Sequence, residues 1–201
     1  MAKGDIVVVG ASAGGIIALV ELLKSIPTDF VASVFVVLHL PAYSPSVLPE
    51  ILSRAGELNA VHPIDGEVVK PGLVYVCPPD HHLILEGNRV LVKKGPKENN
   101  FRPSIDALFR SAAYVYGTRV IGIVLSGLLN DGTSGLWSVK RLGGVTIIQE
   151  PADADFPNMP LNVLEYVKVD HSIRASDMGL LLKQLTTERA SKKPKLSKEE
   201  L

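Results

Sequence analysis

The 201-residue sequence predicts an α/β fold: a Rossmann-like, mostly parallel sheet with helices on both faces. Short runs of β-branched and other apolar residues alternate along the chain with segments of helical periodicity. These runs are continuously apolar, as in strands buried on both faces of a parallel sheet. A further set of short alternating runs in the middle of the chain predicts a small antiparallel hairpin extension.

The first part of the chain predicts two strands and two helices. Residues 6–9 form an apolar run that reads as a buried strand. Residues 14–26 follow with apolar side chains at helical spacing, and Pro27 ends that helix. A second buried strand is predicted over residues 34–38, and a second helix over residues 46–55.

The middle of the chain has a different pattern. Residues 73–77, 83–86 and 90–93 are short runs separated by turn residues, and the pair Gly87-Asn88 lies between the last two. A glycine–asparagine pair between two alternating runs indicates a hairpin. We therefore expect these runs to form an antiparallel extension on the main sheet.

The second half of the chain returns to alternating helices and strands. Its predicted elements are a helix over residues 103–116, a strand over 120–125, a helix over 134–142, a strand over 145–148, and two helices after Pro160, the last over 175–187.

Composition narrows the class of protein. The chain is 46% hydrophobic and carries 21 basic and 21 acidic residues, so no charge surplus indicates nucleic acid as a partner. The single cysteine, Cys77, cannot form an internal disulfide, and no apolar stretch approaches the ~20 residues that span a bilayer. We expect a soluble, cytoplasmic domain over residues 1–188, without membrane insertion, and a charged, disordered tail over 189–201.

Ser12 lies in the first segment whose residues could take part in catalysis. Residues 10–14, GASAG, follow the first strand directly and open the first helix, which is the setting of a nucleophile elbow. Small neighbours permit a sharp turn, and the helix N-terminus offers free N–H groups to an oxyanion. A serine that caps the helix explains the pentapeptide alone equally well. A dinucleotide loop would need glycine at position 12 and an acid where His39 stands.

His39 and Asp131 each follow a predicted strand. Because the carboxyl ends of parallel strands share one edge, we expect Ser12, His39 and Asp131 to meet there. An imidazole accepts a serine proton near neutral pH, and a carboxylate orients the imidazole. A loop histidine and a helix-capping aspartate explain each residue singly, whereas the three together favour a catalytic triad.

The adjacent pair His81-His82 is the other candidate for chemistry, as a metal site. Neighbouring residues of a strand point to opposite faces, and no cysteine or glutamate stands at ligand spacing. We therefore predict a turn into the hairpin here, with no metal site and no cofactor.

Several segments together resemble the catalytic domain of the chemotaxis protein-glutamate methylesterases. They occur in family order over nearly the whole chain, from about residue 6 to residue 185. The segments are residues 8–15, 37–41, 101–106 and 126–132, with weaker matches at 74–82 and 158–160.

The resemblance implies a serine hydrolase that removes methyl esters from receptor glutamates and often deamidates receptor glutamines. It implies Ser12 as nucleophile, His39 as base and Asp131 as triad acid, with an oxyanion hole near Ala13 and Leu128. The implied partners are the methylated cytoplasmic helices of chemoreceptors. The chain looks like a stand-alone catalytic domain without a receiver domain, so we expect any control to come from a separate regulatory protein or from receptor localisation.

Two departures from the family pattern are visible. Ala13 stands where threonine is common, and Leu128-Leu129 stands where methionine–glycine is common. Leu129 is not expected to enter the positive-φ conformation that glycine allows. The alternatives are a hydrolase of the same fold that acts on a different ester, and a catalytically weakened binding module.

Overall fold

The computed structural model describes residues 5–43 and 46–187, which form two sheets with helices on both faces of the larger one. The strands are β1 (Ile6–Ala11), β2 (Ser33–Leu38), β3 (Asn59–Val61), β4 (Glu67–Val68), β5 (Leu73–Val76), β6 (His82–Glu86), β7 (Arg89–Lys93), β8 (Val120–Val124), β9 (Val145–Gln149) and β10 (His171–Ile173). The helices are α1 (Gly15–Ser25), α2 (Leu48–Ala55), α3 (Ile105–Tyr116), α4 (Thr133–Arg141), α5 (Asn158–Tyr166) and α6 (Met178–Thr187).

The larger sheet has seven strands in the order β10-β9-β8-β1-β2-β5-β3. Every pairing in it is parallel. The chain winds outward from β1 in both directions, with β2 on one side and β8 on the other. The carboxyl ends of β1 and β8 therefore form a topological switch point, where such sheets bind ligands.

Two hydrophobic cores, one on each face, explain the continuously apolar strands. Val7 and Val9 of β1 pack into the core covered by α1, α2 and α6, whereas Ile6 and Val8 pack into the core beneath α3, α4 and α5. All four side chains are at most 3% exposed. A strand buried on both faces has no solvent-facing side, so its residues do not alternate between apolar and polar. The parallel sheet with helices on both faces confirms the predicted fold class.

The middle of the chain was predicted incorrectly in one respect. Strand β5 is not part of an antiparallel extension, because it lies in the main sheet, parallel to β2 and β3. The hairpin of β6 and β7 does form, but it pairs with β4 in a separate three-stranded sheet. An alternating pattern identifies a strand without identifying its partner, which depends on distant packing.

Several short elements and boundaries differ from the prediction. Strands β3, β4 and β10 are not predicted from the sequence, because they have only two or three residues each. The second helix begins at Leu48 rather than at residue 46, and α5 begins at Asn158, before Pro160. A 3₁₀ turn over Ala175–Asp177 opens the segment predicted as the last helix. The predicted tail from residue 189 lies outside the described residues.

Gly179, in the first turn of α6, provides a test of how this helix packs on α1. A Cβ at this position would lie 2.0 Å from the carbonyl oxygen of Ser25. Helix propensity alone favours alanine, but the clash with backbone should dominate. We predict that Gly179→Ala lowers the free energy of unfolding by roughly 1–3 kcal/mol, measured by urea denaturation.

The neighbouring substitution Leu180→Ala is the matched control, because this side chain is 72% exposed. It should change stability by less than about 0.5 kcal/mol. A Gly179→Ala variant as stable as the parent would show that α6 does not pack this closely.

Candidate active site

Three neighbouring strands bring the predicted triad residues to one edge of the main sheet. Ser12 follows β1, His39 follows β2, and Asp131 lies in the loop between β8 and α4. Since β1 pairs with both β2 and β8, the three side chains meet at the switch point. The His39 amide donates to the carbonyl of Ala11 at 3.2 Å, which continues the β1–β2 ladder into the site.

Ser12 occupies a tight turn between β1 and α1. Gly14 has a left-handed φ of 70° at the start of the helix, a conformation that favours glycine. A Cβ on Gly127, from the loop after β8, would lie 2.8 Å from the Cβ of Ser12 and 2.0 Å from Sδ of Met159. The two loops therefore approach closely, and the Ser12 amide donates to the Ser126 carbonyl at 3.0 Å.

A chain of two hydrogen bonds joins the three predicted residues. The Oγ of Ser12 lies 3.2 Å from Nδ1 of His39, and Nε2 of His39 lies 2.9 Å from Oδ2 of Asp131. The side chains of His39 and Asp131 are 8% and 0% exposed. This geometry allows the imidazole to accept the serine proton while the carboxylate orients it.

The ring of His39 faces its partners with the nitrogens in a defined order. Nδ1 faces the serine and Nε2 faces the carboxylate. In the serine protease arrangement the order is the reverse. Turning the ring over would place carbon atoms at both positions, so the hydrogen bonds fix its orientation. The matching tautomer carries its proton on Nε2, which donates to Asp131, and accepts from Ser12 through Nδ1.

The carboxylate of Asp131 sits at the N-terminus of α3. Besides His39, its donors are the amides of Ile105 and Asp106, the hydroxyl of Ser104 and the side-chain amide of Asn99, at 2.7–3.2 Å. Burial acts to raise the pKa of Asp131, but hydrogen bonds led by that from His39 outweigh it, and the pKa lies below its ordinary value. The group therefore stays ionised at neutral pH.

A second carboxylate, Asp106, mirrors this arrangement. It lies in the first turn of α3 and accepts the amides of Gly132 and Gly135 at the start of α4, at 3.0 and 2.6 Å. Asp131 thus caps α3, the helix that contains Asp106, and Asp106 caps α4, the helix that follows Asp131. Asn99 donates to both carboxylates through Nδ2, at 2.7 and 2.8 Å. Burial raises the pKa of Asp106, and the nearby charge of Asp131 adds to the effect.

A two-residue turn carries Asn99 and places Phe101 on the catalytic edge. Asn99 and Asn100 have φ of 52° and 68°, and Glu98 and Phe101 exchange backbone hydrogen bonds of 3.0 and 2.8 Å. The Phe101 ring stacks on the His39 ring, with centroids 3.7 Å apart and planes 5° apart. The family resemblance includes residues 101–106, but the sequence alone predicts no role for Phe101. The Asn-Asn pair of the turn, tolerant of positive φ, was the available signal.

Ala13 and Leu128 lie in the two loops that meet at Ser12, the one after β1 and the one after β8. The Ala13 carbonyl accepts the hydroxyl of Ser126 at 2.8 Å. Within residues 5–43 and 46–187, no protein acceptor takes the amide of Ala13 or Leu128. Free amides beside a nucleophile are suited to hold the charge of a tetrahedral intermediate. These two positions remain the candidates for an oxyanion hole.

Leu129 corrects an expectation from the sequence. It does adopt positive φ, at 66°, although it is not a glycine. Its carbonyl accepts the side-chain amide of Asn162 at 2.6 Å. In the same loop, the Gly127 amide donates to the carbonyl of Phe156, and the Gly127 carbonyl accepts the amide of Met159. These contacts with the loop before α5 and with α5 itself hold the loop in a conformation that costs about 1–3 kcal/mol for a side chain like leucine.

An open cleft of about 510 Å³ adjoins the serine. Its walls are mainly apolar and come from the start of α1 and the end of β2, including Ile16, Ile17 and Leu40. Ile17 is 63% exposed, so this wall faces solvent. Such a surface suits the methyl group and aliphatic stem of an ester substrate.

Comparison with known proteins identifies the family of the chain. The family model described as CheB methylesterase matches residues 7–182. The chain belongs to the CheB methylesterase family. The crystal structure of the Thermotoga maritima CheB methylesterase catalytic domain superposes with a TM-score of 0.85 at 34% identity, covering 91% of this chain and 99% of that one.

Relatives differ in how much of their length this chain matches. The protein-glutamate methylesterase/protein-glutamine glutaminase of Thermotoga maritima is 35% identical over 177 residues, which are 86% of this chain and 52% of that protein. A Leptospira interrogans protein, provisionally named for the same two activities, is 34% identical over 182 residues, or 90% of this chain and 94% of that protein. This chain therefore corresponds to the CheB catalytic domain.

The two histidines considered as a metal site from the sequence, His81 and His82, both form hydrogen bonds with backbone groups. His82 lies between the Pro96 carbonyl and the Ser104 amide, at 2.8 and 3.2 Å, and His81 contacts the Pro79 carbonyl. In the described part of the chain, no cluster of metal-ligating side chains is present, and no helix is long and apolar enough to cross a membrane.

The positive φ of Leu129 gives a stability prediction. Replacing Leu129 with glycine removes the left-handed strain, and the lost side chain is 61% exposed, so little burial is sacrificed. We predict that Leu129→Gly raises the free energy of unfolding by about 1 kcal/mol, measured by chemical denaturation. Leu128→Gly is the control and should lower stability, because Leu128 is not among the positive-φ residues. Equal effects of the two substitutions on the free energy of unfolding would show that the left-handed conformation of Leu129 is not strained.

Asp131 gives a pH prediction. Its folded-state pKa is lowered, so its contribution to stability is present above its unfolded pKa of ~3.9 and is lost as pH falls through the folded value. We predict that Asp131→Asn lowers the free energy of unfolding by roughly 1.5–3 kcal/mol at pH 7. The difference should shrink below pH ~4 in denaturant titrations. The exposed Glu57→Gln is the control and should have little effect at any pH. A pH-independent difference for Asp131→Asn would show that the charge of Asp131 does not contribute to stability.

Proposed function

We propose that this protein hydrolyses methyl esters of glutamate side chains on the cytoplasmic helices of chemoreceptors, releasing methanol. The observation that carries the proposal is the hydrogen-bonded chain of Ser12, His39 and Asp131 in a member of the CheB methylesterase family. Relatives are named for both methylesterase and glutaminase activity. Deamidation of receptor glutamines uses the same acyl chemistry, so it belongs to the same proposal.

In the first step, Nδ1 of His39 takes the proton of the Ser12 hydroxyl as its oxygen attacks the ester carbonyl. The amides near Ala13 and Leu128 hold the oxyanion that forms. The tetrahedral intermediate then collapses, the bond to the methoxy oxygen breaks, and that oxygen leaves as methanol with the proton from His39. The product is an acyl-enzyme on Ser12.

In the second step, His39 takes a proton from water as the water oxygen attacks the acyl-enzyme. The bond to Ser12 breaks, Ser12 recovers its proton from the imidazole, and the glutamate carboxylic acid leaves and ionises. Asp131 stays ionised through both steps because its pKa lies below its ordinary value. It holds the Nε2–H tautomer in place and stabilises the imidazolium each time it forms.

Two features of the cleft support a substrate in which a small ester is attached to a macromolecule. The cleft beside Ser12 is open to solvent and walled by Ile16, Ile17 and Leu40, so a side chain that projects from a helix can enter without closure of a lid. The loop after β8 approaches Ser12 at Gly127, and it carries two exposed apolar side chains, Leu128 at 44% and Leu129 at 61%. A methylated glutamate presents a matching apolar end.

The decisive experiment measures methanol released from a methylated chemoreceptor cytoplasmic fragment. We predict that Ser12→Ala lowers turnover by about 10³-fold or more, because the nucleophile is lost. The exposed strand residue Ser172 provides the control, and Ser172→Ala should retain full activity. Undiminished turnover in Ser12→Ala would remove Ser12 from the mechanism. Hydrolysis of simple esters without release of methanol from the receptor fragment would indicate that the natural substrate is a different ester.

A further inference from the structure

We infer that Phe101 is a positioning residue for the general base, fixing the plane of the His39 ring and stabilising the imidazolium that forms during each chemical step. This inference rests on the proposed function for its kinetic readout. Phe101 touches neither Ser12 nor Asp131 by hydrogen bonding. Its role is carried by the face-to-face contact with the imidazole, at 3.7 Å between centroids and 5° between planes.

The hydrogen bonds of His39 leave one motion of the ring poorly restrained. Both bonds, to Ser12 and to Asp131, lie near the plane of the imidazole, because its nitrogens donate and accept in that plane. Tilting of the ring out of the plane weakens both bonds at once. A flat ring packed against one face opposes this tilt and excludes water from that face.

The stacking geometry suits the cation better than the neutral ring. Neutral aromatic pairs prefer offset or edge-to-face arrangements over a parallel sandwich. A cation above an aromatic face is attracted by the ring quadrupole. His39 becomes an imidazolium in each chemical step, so the contact with Phe101 is stronger in the transition state than in the resting enzyme. Only such differential contacts raise the rate of the chemical step.

The surroundings of Phe101 hold it firmly. On one side, Asn99 is bonded to the two buried carboxylates, and Glu98 pairs with Arg110 of α3 at 2.6 Å. On the other side, the guanidinium of Arg102 binds Asp80 and the carbonyl of Gly95, at 2.5–2.8 Å. The chain is therefore anchored on both sides of Phe101, through Glu98 and Asn99 before it and Arg102 after it, as a rigid support for the imidazole requires.

The same substitution at a second stacked phenylalanine separates positioning from general packing. Phe35 stacks on Tyr75 in the hydrophobic core, with centroids 5.0 Å apart and planes 9° apart. Phe101→Leu and Phe35→Leu both remove an aromatic face while keeping an apolar side chain. Only the former changes a contact with His39. Phe101→Tyr keeps the ring and serves as the conservative rescue.

The test is steady-state kinetics on a methylated receptor fragment, well below the unfolding temperature of each variant. Phe101→Leu should lower kcat about 3- to 30-fold with KM within about twofold, and Phe101→Tyr should stay within about twofold of the parent. Phe35→Leu should lose stability but keep kcat. A parental kcat in Phe101→Leu, or an equal loss in Phe101→Tyr, would overturn the inference.

Two further readouts do not depend on the receptor substrate. The rate of Ser12 labelling by a fluorophosphonate should fall by the same factor in Phe101→Leu as kcat does. In NMR spectra, the ring protons of His39, assigned with His39→Gln, should lose their upfield ring-current shift in Phe101→Leu and retain it in Phe101→Tyr. If the parent releases no methanol, the proposed function fails. An unchanged labelling rate and unchanged shifts in Phe101→Leu would then refute the positioning role separately.

Discussion

The buried carboxylate of Asp131 is the group on which the rest of the site depends. At 1% exposure it has lost almost all hydration, so its charge persists only because protein donors replace water. His39 supplies one of these donors, and residues 99–106 supply the other four. The orientation of His39, the proposed general base, therefore follows from the position of a helix N-terminus.

Asp106 extends this constraint to a second helix. Because it accepts amides at the start of α4 while Asp131 accepts amides at the start of α3, the two helices cannot move apart without exposing a charge or leaving donors unpaired. The loop between β8 and α4 carries both Asp131 and Leu128. One interlocked pair of caps thus locates the proposed triad acid and a candidate oxyanion donor together.

The sequence could predict the parts of the site that need only strand order. Ser12, His39 and Asp131 each follow an apolar run, and in a parallel sheet such positions share an edge. The place of β5 in that sheet could not be predicted, since its partners come from distant chain segments. The same holds for Phe101, whose contact with His39 depends on a turn formed far along the chain. Leu129 adopts a conformation against its intrinsic preference because Asn162 and its neighbours impose it.

The sequence separations within the triad bear on how activity arises during folding. Ser12 and His39 are 27 residues apart and belong to one β1–α1–β2 unit, whereas His39 and Asp131 are 92 residues apart. The nucleophile and base can therefore come together early, from local contacts, but the base acquires its carboxylate only after β8 docks on β1. A partly assembled chain would hold an exposed serine beside an imidazole with no fixed tautomer. The complete hydrogen-bonded chain of Ser12, His39 and Asp131 therefore exists only when both halves of the sheet have joined.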